Sequence, residues 1–407
     1  MVKKIISLFI CFAAAFTVTV SAFAQSGGIR VEAASSVPLY LRYYYDQMDK
    51  NTQTMFLKMR KAILNCDKKI TFSDKETDDV GLEGLFQVFE LVFLYDPLTF
   101  NVDLQKITDD PKDPYALVLS YHYKKETYDK MVAAYEKRVD KILDKLTDDM
   151  STYKKIKTIH DSIINTAVYD LEAPNNDNIY GTLVKKTAKC DGYAKTFNYI
   201  CGKAGIKSIC VMGDDDITTD DVMHMWNKVY YNKQWYNVDV TWDDPVSDLK
   251  KNIIYDYFMI DDETIFRDHV ERSISFEIPE AIDDSKSYYK INNKYADDLE
   301  NAKAMINDII ISAAKNNTAV VRFQCSSRSL FRKVDSYLSI NNIIDITESL
   351  NKKTDKDIVA LVPVPYESQY TFTIVILYRN TSLDSYFVNT EDISSYDRKL
   401  FARFGIK

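Results

Sequence analysis

Apolar residues recur at three- and four-residue steps through much of the first half of the chain, which is the pattern of amphipathic helices. This spacing predicts helices over residues 40–66, 79–95, 126–150 and 153–168. A further helix is predicted over Cys190–Lys203, because Tyr193, Phe197 and Ile200 share one side and Gly205 provides a stop. The N-terminal part of the chain is therefore predicted to be mostly helical.

A different pattern follows, in which residues 224–231 and 234–242 are rich in Trp, Tyr and Val. Such composition is typical of strands, and the intervening Asn232-Lys233 suits a two-residue hairpin turn. If Tyr231 pairs with Gln234, His224 and Asp239 become diagonal neighbours on one face, about 7–8 Å apart between backbones. A change of one residue in the loop would turn Asp239 to the opposite face.

The remaining pattern alternates between strands and helices. Strands are predicted at 115–123, 208–212, 255–260, 318–324, 358–364 and 370–378, helices at 297–314 and 327–338, and an irregular connection at 261–285. We therefore predict a flexible leader at 25–37, a mostly helical domain at 38–150, a core at 151–275 and an α/β accessory domain at 286–407.

The chemistry of the predicted core centres on a thiol, an imidazole and a carboxylate. Cys190 lies in the first turn of its helix, where unpaired N–H groups and the helix dipole favour a thiolate and could bind an oxyanion. His224 and Asp239 follow on the hairpin. These three side chains are the parts of a cysteine acyl-transfer site, provided that the fold brings them together.

At these positions the chain resembles the transglutaminase-like superfamily, papain-like cysteine enzymes with many secreted bacterial members. The resemblance covers about residues 180–245 and rests on Cys190-x-Gly192-Tyr193, His224-x-Trp226-Asn227 and the run Trp235-Tyr236-x-x-Asp239-x-Thr241-Trp242-Asp243. Ala188 is a departure, since many relatives have glycine there.

The resemblance implies an α+β fold with a papain-like transglutaminase core, in which a helix bearing the cysteine packs on an antiparallel sheet bearing the histidine and aspartate. It implies that Cys190 is the nucleophile, His224 the base and Asp239 the residue that orients it. The second oxyanion donor varies in the family, and Tyr180 is a candidate only because it is near in sequence. The implied activity is cleavage or transfer of a peptide or glutamine amide, with hydrolysis favoured.

Each of these residues also has a structural interpretation. A cysteine on a helix is most often a small buried apolar residue, and a histidine beside tryptophan is often part of a core. The three residues together inside the longer pattern favour catalysis. The alternative from another functional class is an inactive surface-binding protein that has kept the fold.

The N-terminus has the three regions of a secretory signal peptide. Lys3 and Lys4 precede an apolar run over residues 5–20, and Ala22-Phe23-Ala24 fits a cleavage site. A membrane anchor is the alternative, but the run is shorter than the roughly 20 residues that span a bilayer. We expect a signal peptide over 1–24, no stable span after its removal, and a secreted or surface-associated protein.

Composition limits the partners that the chain can have. A net charge of −8 over 407 residues, without a basic cluster, argues against nucleic acid. The family resemblance implies a protein or peptide substrate, with cell-wall peptide as one candidate. We expect no cofactor, and no zinc because no pair of cysteines or histidines has ligand spacing. The acidic stretch 213–221 lacks the calcium-loop pattern and is predicted to be a solvated loop, with calcium as the alternative.

The remaining residues with reactive side chains are predicted to be structural. Five cysteines follow the predicted signal peptide, and an odd number leaves at least one thiol unpaired in an exported protein. Cys66, Cys201, Cys210 and Cys325 are predicted to be buried apolar residues. His269 lies in the predicted irregular connection and is most simply a surface residue.

Overall fold

A computed structural model of the chain describes residues 37–215, 223–244, 253–273 and 275–379. The predicted signal peptide lies outside these residues, as does the predicted leader apart from Val37. Within the described residues, no helix combines the length and the apolar content needed to cross a bilayer.

Contacts divide the chain into two compact units. The first runs to Thr241 and resumes over His269–Ala281, and the second comprises Trp242–Asp268 and the chain from Ile282 onward. The first unit therefore holds both the predicted helical region and most of the predicted core. The predicted domain boundaries stay a prediction, because contacts alone do not establish which segments fold independently.

The helices are numbered here in chain order. They are α1 (Leu39–Tyr45), α2 (Lys50–Leu64), α3 (Asp74–Phe89), α4 (Lys125–Leu143), α5 (Thr152–Ile164), α6 (Cys190–Lys203), α7 (Asp262–Ile265), α8 (Tyr288–Ile291), α9 (Leu299–Lys315), α10 (Arg328–Tyr337) and α11 (Ile340–Asn351). Short π-helical turns cover Glu90–Tyr95 and Gly181–Lys185, and a 3₁₀ turn covers Leu104–Lys106.

The strands are numbered in the same way. They are β1 (Lys69–Thr71), β2 (Thr108–Asp110), β3 (Asp113–Val118), β4 (Val168–Tyr169), β5 (Thr187–Ala188), β6 (Ser208–Asp215), β7 (Met223–Tyr231), β8 (Gln234–Val238), β9 (Phe258–Ile260), β10 (His269–Arg272), β11 (Tyr295–Ala296), β12 (Val320–Cys325), β13 (Ile358–Tyr366) and β14 (Thr371–Tyr378).

The first predicted helix, over residues 40–66, is in fact two helices. Asp49 lies between α1 and α2 with an extended backbone, and its side chain accepts hydrogen bonds from the N–H groups of Asn51 and Thr52. A carboxylate that caps a helix in this way starts a new helix, because it satisfies donors that the first turn leaves unpaired. The apolar spacing continues across the break and therefore hides it.

The central sheet of the first unit contains β10, β6, β7 and β8 in that order, and adjacent strands are antiparallel. Tyr231 pairs with Gln234, as the sequence predicted. Asn232 and Lys233 both have positive φ, at 50° and 66°, which fits the tight turn whose twist matches that of the strands. The predicted register of the β7–β8 hairpin is therefore confirmed.

Helix α6 packs against this sheet through buried residues that include Phe197 and Ile200. Polar contacts fix its position, because Asn227 on β7 donates from Nδ2 to the carbonyl of Ala194 at 3.0 Å and to that of Ile209 at 3.1 Å. Buried amide groups need such partners, so the bond defines where α6 lies along the strand.

The half-buried Lys207 contacts both α1 and the β7–β8 hairpin. Lys207 Nζ lies 5.0 Å from the ring centre of Tyr43 on α1, 5.4 Å from that of Tyr230 on β7 and 5.2 Å from that of Trp235 on β8. Cation–π attraction to three rings holds the ammonium group among them. The helical N-terminal region and the hairpin are thereby joined at one point.

The second unit contains a sheet with the order β11-β12-β14-β13, covered by α9, α10 and α11. The predicted helices at 297–314 and 327–338 and the predicted strands at 318–324, 358–364 and 370–378 correspond to α9, α10, β12, β13 and β14. Helix α11 was not predicted. Arg322 forms an ion pair with the buried Asp256, whose carboxylate also accepts a hydrogen bond from the hydroxyl of Thr371.

Candidate active site

Cys190 is the first residue of α6. It follows Lys189, which has an extended backbone and serves as the N-cap. Its half-buried side chain places Sγ 3.8 Å from Asp191 Oδ1 and 4.0 Å from the carbonyl oxygen of Met223. The first N–H groups of a helix lack intrahelical partners, so the start of α6 offers donors beside the thiol.

The loop before α6 lies directly against the start of this helix. The carbonyl of Asn176 accepts a 2.9 Å hydrogen bond from the N–H of Lys189, and a Cβ at Gly192 would lie 2.2 Å from the same oxygen. Asn176 is held in turn by bonds from its Nδ2 to the carbonyls of Asp170 and Leu171, at 2.8 and 2.9 Å. The glycine two residues after the cysteine is therefore required by a close backbone approach.

His224 and Asp239 lie together, as the hairpin register predicted. His224 Nε2 is 2.5 Å from Asp239 Oδ2, and both side chains are buried. Asp239 follows the end of β8 by one residue, and its Oδ1 accepts the N–H of Thr241 at 2.8 Å. Both carboxylate oxygens are thus engaged by donors from the protein.

Charge and burial set the protonation of this pair. Burial by itself would raise the pKa of Asp239, but the charge and hydrogen bond of His224, with a further bond from His269, hold it well below its usual value. Burial would lower the pKa of His224, yet Asp239 and then Cys190 raise it well above its usual value. The favoured state therefore has an ionised carboxylate and a protonated imidazole.

His269 was predicted to be a surface residue, and that prediction was wrong. It lies on β10, which joins the edge of the central sheet, and its side chain is fully buried. Its Nε2 lies 3.0 Å from Asp239 Oδ2, the same oxygen that His224 contacts. Residues 269–272 have no strand pattern in the sequence, so this four-residue strand was not predicted within the irregular connection expected at 261–285.

The side chains of the candidate site lie on one face of the central sheet. Side chains at alternate positions share a face, so His224 and Trp226 on β7 lie on the side where Gly213 and Glu271 pair across β6 and β10. A Cβ at Gly213 would lie 2.7 Å from the Trp226 ring and 2.0 Å from the carbonyl oxygen of Val270. Gly213 therefore leaves the space into which the rings pack.

Tyr169 is a second residue that sequence reasoning missed. Strand β4 pairs with β5 so that Tyr169 lies opposite Ala188, two residues before Cys190. Burial raises the pKa of Tyr169 to about 12, and the charges of Cys190 and Asp191 add to this effect. Its hydroxyl therefore remains protonated at neutral pH. Tyr180, the earlier candidate for a second oxyanion donor, stays a prediction.

The other described cysteines fit structural roles. Cys201, Cys210 and Cys325 are buried as predicted, whereas Cys66 is half-buried, and none of the five described cysteines forms a disulfide. Burial raises the pKa of Cys210 and that of Cys325 to about 12, and it also raises the pKa values of Cys66 and Cys201. These thiols are therefore poor nucleophiles near neutral pH.

Among the described residues, the one close group of three potential metal ligands is His224, Asp239 and His269, whose ligating atoms lie within 4.8 Å of one another. Two N–H donors on a shared carboxylate oxygen account for this closeness without an ion. The absence of metal from the reaction stays a prediction.

The acidic stretch 213–221 is only partly described. Residues 213–215 belong to β6, which extends beyond the predicted end at Met212, and residues 216–221 lie outside the described residues. Asp214 pairs with Arg272 on β10. The choice between a solvated loop and a calcium site over the whole stretch stays a prediction.

Comparison with known proteins gives a match within the first unit. Residues 137–240 match the transglutaminase-like superfamily, and this match includes the positions of Cys190, His224 and Asp239. The kyphoscoliosis peptidase of Mus musculus is 27% identical over 146 residues, covering 31% of this chain and 22% of that protein. The human kyphoscoliosis peptidase is 26% identical over 172 residues, covering 38% of this chain and 26% of that protein.

The chain thus aligns with only about a quarter of the length of these relatives. A solved structure of a TGase is 22% identical, with a TM-score of 0.25, and the match covers 30% of this chain and 34% of that one. The chain has a mixed α+β fold with a transglutaminase-like core, which confirms the predicted fold class.

Replacement of Gly192 tests the close approach at the start of α6. We expect Gly192→Ala to destabilise the protein by about 1–3 kcal/mol, because the added Cβ would press on the backbone oxygen of Asn176. Thermal unfolding followed by circular dichroism would measure this loss. An unchanged melting temperature would show that the loop can move away from the helix.

Replacement of Asp239 tests the charge of the buried cluster. A carboxyl whose pKa is lower in the folded chain stabilises the fold above its unfolded value of about 3.9, and the benefit is lost as pH falls further. Since removing one partner of a buried pair costs about 3–5 kcal/mol, we expect Asp239→Asn to cost that much near neutral pH.

The difference between wild type and Asp239→Asn should shrink as the pH falls below about 4, because the unfolded wild-type chain then binds a proton at this carboxyl, whereas the folded protein, in which the pKa is lower, does not. Urea unfolding of both proteins across this range would measure it, and the subtraction removes the contribution of the other carboxyls. A difference that is constant with pH would contradict an ionised Asp239.

Proposed function

We propose that this protein is a cysteine enzyme that cleaves or transfers peptide or glutamine amides through a thioester on Cys190. The observation that carries the proposal is the 2.5 Å contact between His224 and Asp239, with Cys190 acting on the same imidazole. The match to the transglutaminase-like superfamily over residues 137–240 supports it.

The proposed reaction begins from an ion pair in which His224 already holds the proton of the Cys190 thiol and Asp239 stabilises the imidazolium. The sulfur then attacks the amide carbonyl and gives a tetrahedral oxyanion, which the N–H groups at the start of α6 are placed to bind. Collapse of this intermediate breaks the C–N bond, and the amine leaves with the proton from His224. The acyl group remains on sulfur as a thioester.

The second half of the reaction distinguishes two activities. Attack by water, with His224 as the base, releases a carboxylic acid and restores the thiol. Attack by a primary amine forms a new amide instead. We favour hydrolysis, because the relatives from mouse and human carry the name peptidase. The protein or peptide substrate is proposed to be met outside the cell, since residues 1–24 have the pattern of a signal peptide.

The alternative is a catalytically inactive protein that binds a surface through the same fold. The charged pair of His224 and Asp239 favours an enzyme, because a binding protein has no need to bury an ionised carboxylate against an imidazole that also interacts with a thiol. The reactivity of Cys190 separates the two proposals.

We expect iodoacetamide near pH 6 to label Cys190 roughly ten times faster than any other thiol, because an ion pair with His224 supplies thiolate where the buried cysteines remain protonated. Peptide mass spectrometry of the labelled protein would measure the rates. Cys66→Ala is the matched control, since Cys66 is also half-buried but lies outside the site. If Cys190 were labelled no faster than Cys66 in the wild-type protein, the result would favour the inactive binding protein.

The outcome of turnover is tested with a peptide library, with and without a primary amine. We expect fragments to appear in both mixtures, whereas incorporation of the amine would identify a transferase. Cys190→Ala should abolish either reaction while circular dichroism remains that of the wild type. Full activity in this variant would contradict the proposed nucleophile.

A further inference from the structure

The contact between His269 and Asp239 has no part in a triad of Cys190, His224 and Asp239. His269 Nε2 lies 3.0 Å from Asp239 Oδ2, and the side chains of both residues have no exposed surface. Because the carboxylate is ionised, this nitrogen must carry a hydrogen and donate it. Asp239 therefore receives two imidazole N–H groups on one oxygen.

These bonds limit the rotation of the carboxylate. Oδ2 accepts from His224 and His269, and Oδ1 accepts from the backbone N–H of Thr241 at 2.8 Å. A carboxylate held only by His224 and Thr241 could turn about its Cβ–Cγ bond by moving with the His224 ring. A third donor from a separate strand fixes the plane independently of His224.

The position of His269 is itself strongly determined. Its ring centre lies 5.3 Å from that of Trp226, edge to face at 76°, and 5.2 Å from that of His224. Beyond it on β10, Glu271 forms a 2.8 Å ion pair with the buried Lys228, and Arg272 pairs with Asp214. Strand β10 thus attaches to both β6 and β7 through charges.

We propose that His269 is a positioning residue for the site, which holds the carboxylate of Asp239 in the plane that keeps the His224 ring directed at Cys190. This inference deepens the proposed function and rests on the triad in which Cys190 is the nucleophile. His269 does not touch the reacting atoms. Its effect passes through Asp239 to His224, and so to the thiolate.

The ion pair proposed for Cys190 and His224 would provide a readout that needs no substrate. The rate of alkylation by iodoacetamide follows the fraction of thiolate, so its decline at acid pH reports how well the imidazolium stabilises the sulfur. Several charged or titratable groups lie on the elements around this cluster, and all are kept in the variants: Tyr169, Asp191, Asp214, Lys228, Glu271 and Arg272.

Two variants of similar shape isolate the donor. His269→Gln keeps an N–H group at nearly the reach of Nε2, whereas His269→Met fills a similar volume without a donor. The acid limb is the part of the pH profile in which the rate of Cys190 alkylation falls as the pH is lowered. We expect His269→Met to move the midpoint of this limb up by about one pH unit and to slow labelling near pH 5 about tenfold. We expect His269→Gln to stay within about threefold of wild type.

If His269 only stabilised the fold, the result would differ. Partial unfolding of His269→Met would lower the amplitude of selective Cys190 labelling at every pH but leave the midpoint of its pH profile unchanged. An acid limb in His269→Met that stays at the wild-type pH or moves down overturns the proposal. If His269→Met does not fold, His269→Phe gives the same comparison with a ring in place of the imidazole, and the same outcomes apply.

His160→Phe is the matched control for replacing a buried histidine beside an aspartate, since His160 has no exposed surface and its Nδ1 lies 3.0 Å from Asp161. It should leave the acid limb unchanged. Failure of the wider proposal is distinguishable, because a wild-type Cys190 without selective labelling contradicts the triad. Selective labelling that is identical in wild type and His269→Met contradicts only the role of His269.

Discussion

A carboxylate without access to water imposes the main constraint on this structure. Asp239 is fully buried, and an ionised group in such a place is strongly unfavourable unless donors surround it. The donors to it include His224, His269 and the backbone N–H of Thr241. The donors come from β7, from β10 and from the residues that follow β8, so one charge requires three parts of the first unit to meet.

The thiol is placed by a separate set of contacts on the other side of the cluster. Helix α6 can begin at Cys190 because Lys189 has an extended backbone and donates its N–H to Asn176, whose carbonyl lies where any side chain at position 192 would be. Asn227 then fixes α6 on the sheet through the carbonyl of Ala194. The helix start is thus positioned by the preceding loop and by β7, and it meets the hairpin at His224.

The sequence predicted the parts of this site that depend on local pattern. The spacing in α6 predicted Cys190–Lys203, and the two-residue turn predicted a register in which Asp239 lies near His224. The register was predictable because only two residues separate the strands and Asn232 tolerates the left-handed conformation that the tight turn requires. Where Asp49 interrupts a helical pattern, the apolar spacing alone gave one helix in place of two.

His269 could not be predicted for a physical reason. Strand β10 has four residues, its neighbour β6 lies more than fifty positions earlier in the chain, and the space for its approach is provided by Gly213. Edge strands of this length are defined by what they pair with, and their own sequence carries little signal. The Cys-His-Asp pattern also gave no reason to look for His269, since a triad of this kind contains only one histidine.

The two imidazoles also restrict where protons can move. With Asp239 ionised, Nε2 of His224 and Nε2 of His269 each keep a hydrogen for the shared oxygen, which leaves Nδ1 of His224 as the ring atom that can exchange a proton with Cys190. Transfer of the thiol proton then moves charge within the cluster and leaves its total unchanged. Because the surroundings are largely buried, a step that conserves charge avoids the large cost of creating a new one there. The fixed carboxylate can therefore be neutralised by the imidazolium while the sulfur becomes reactive.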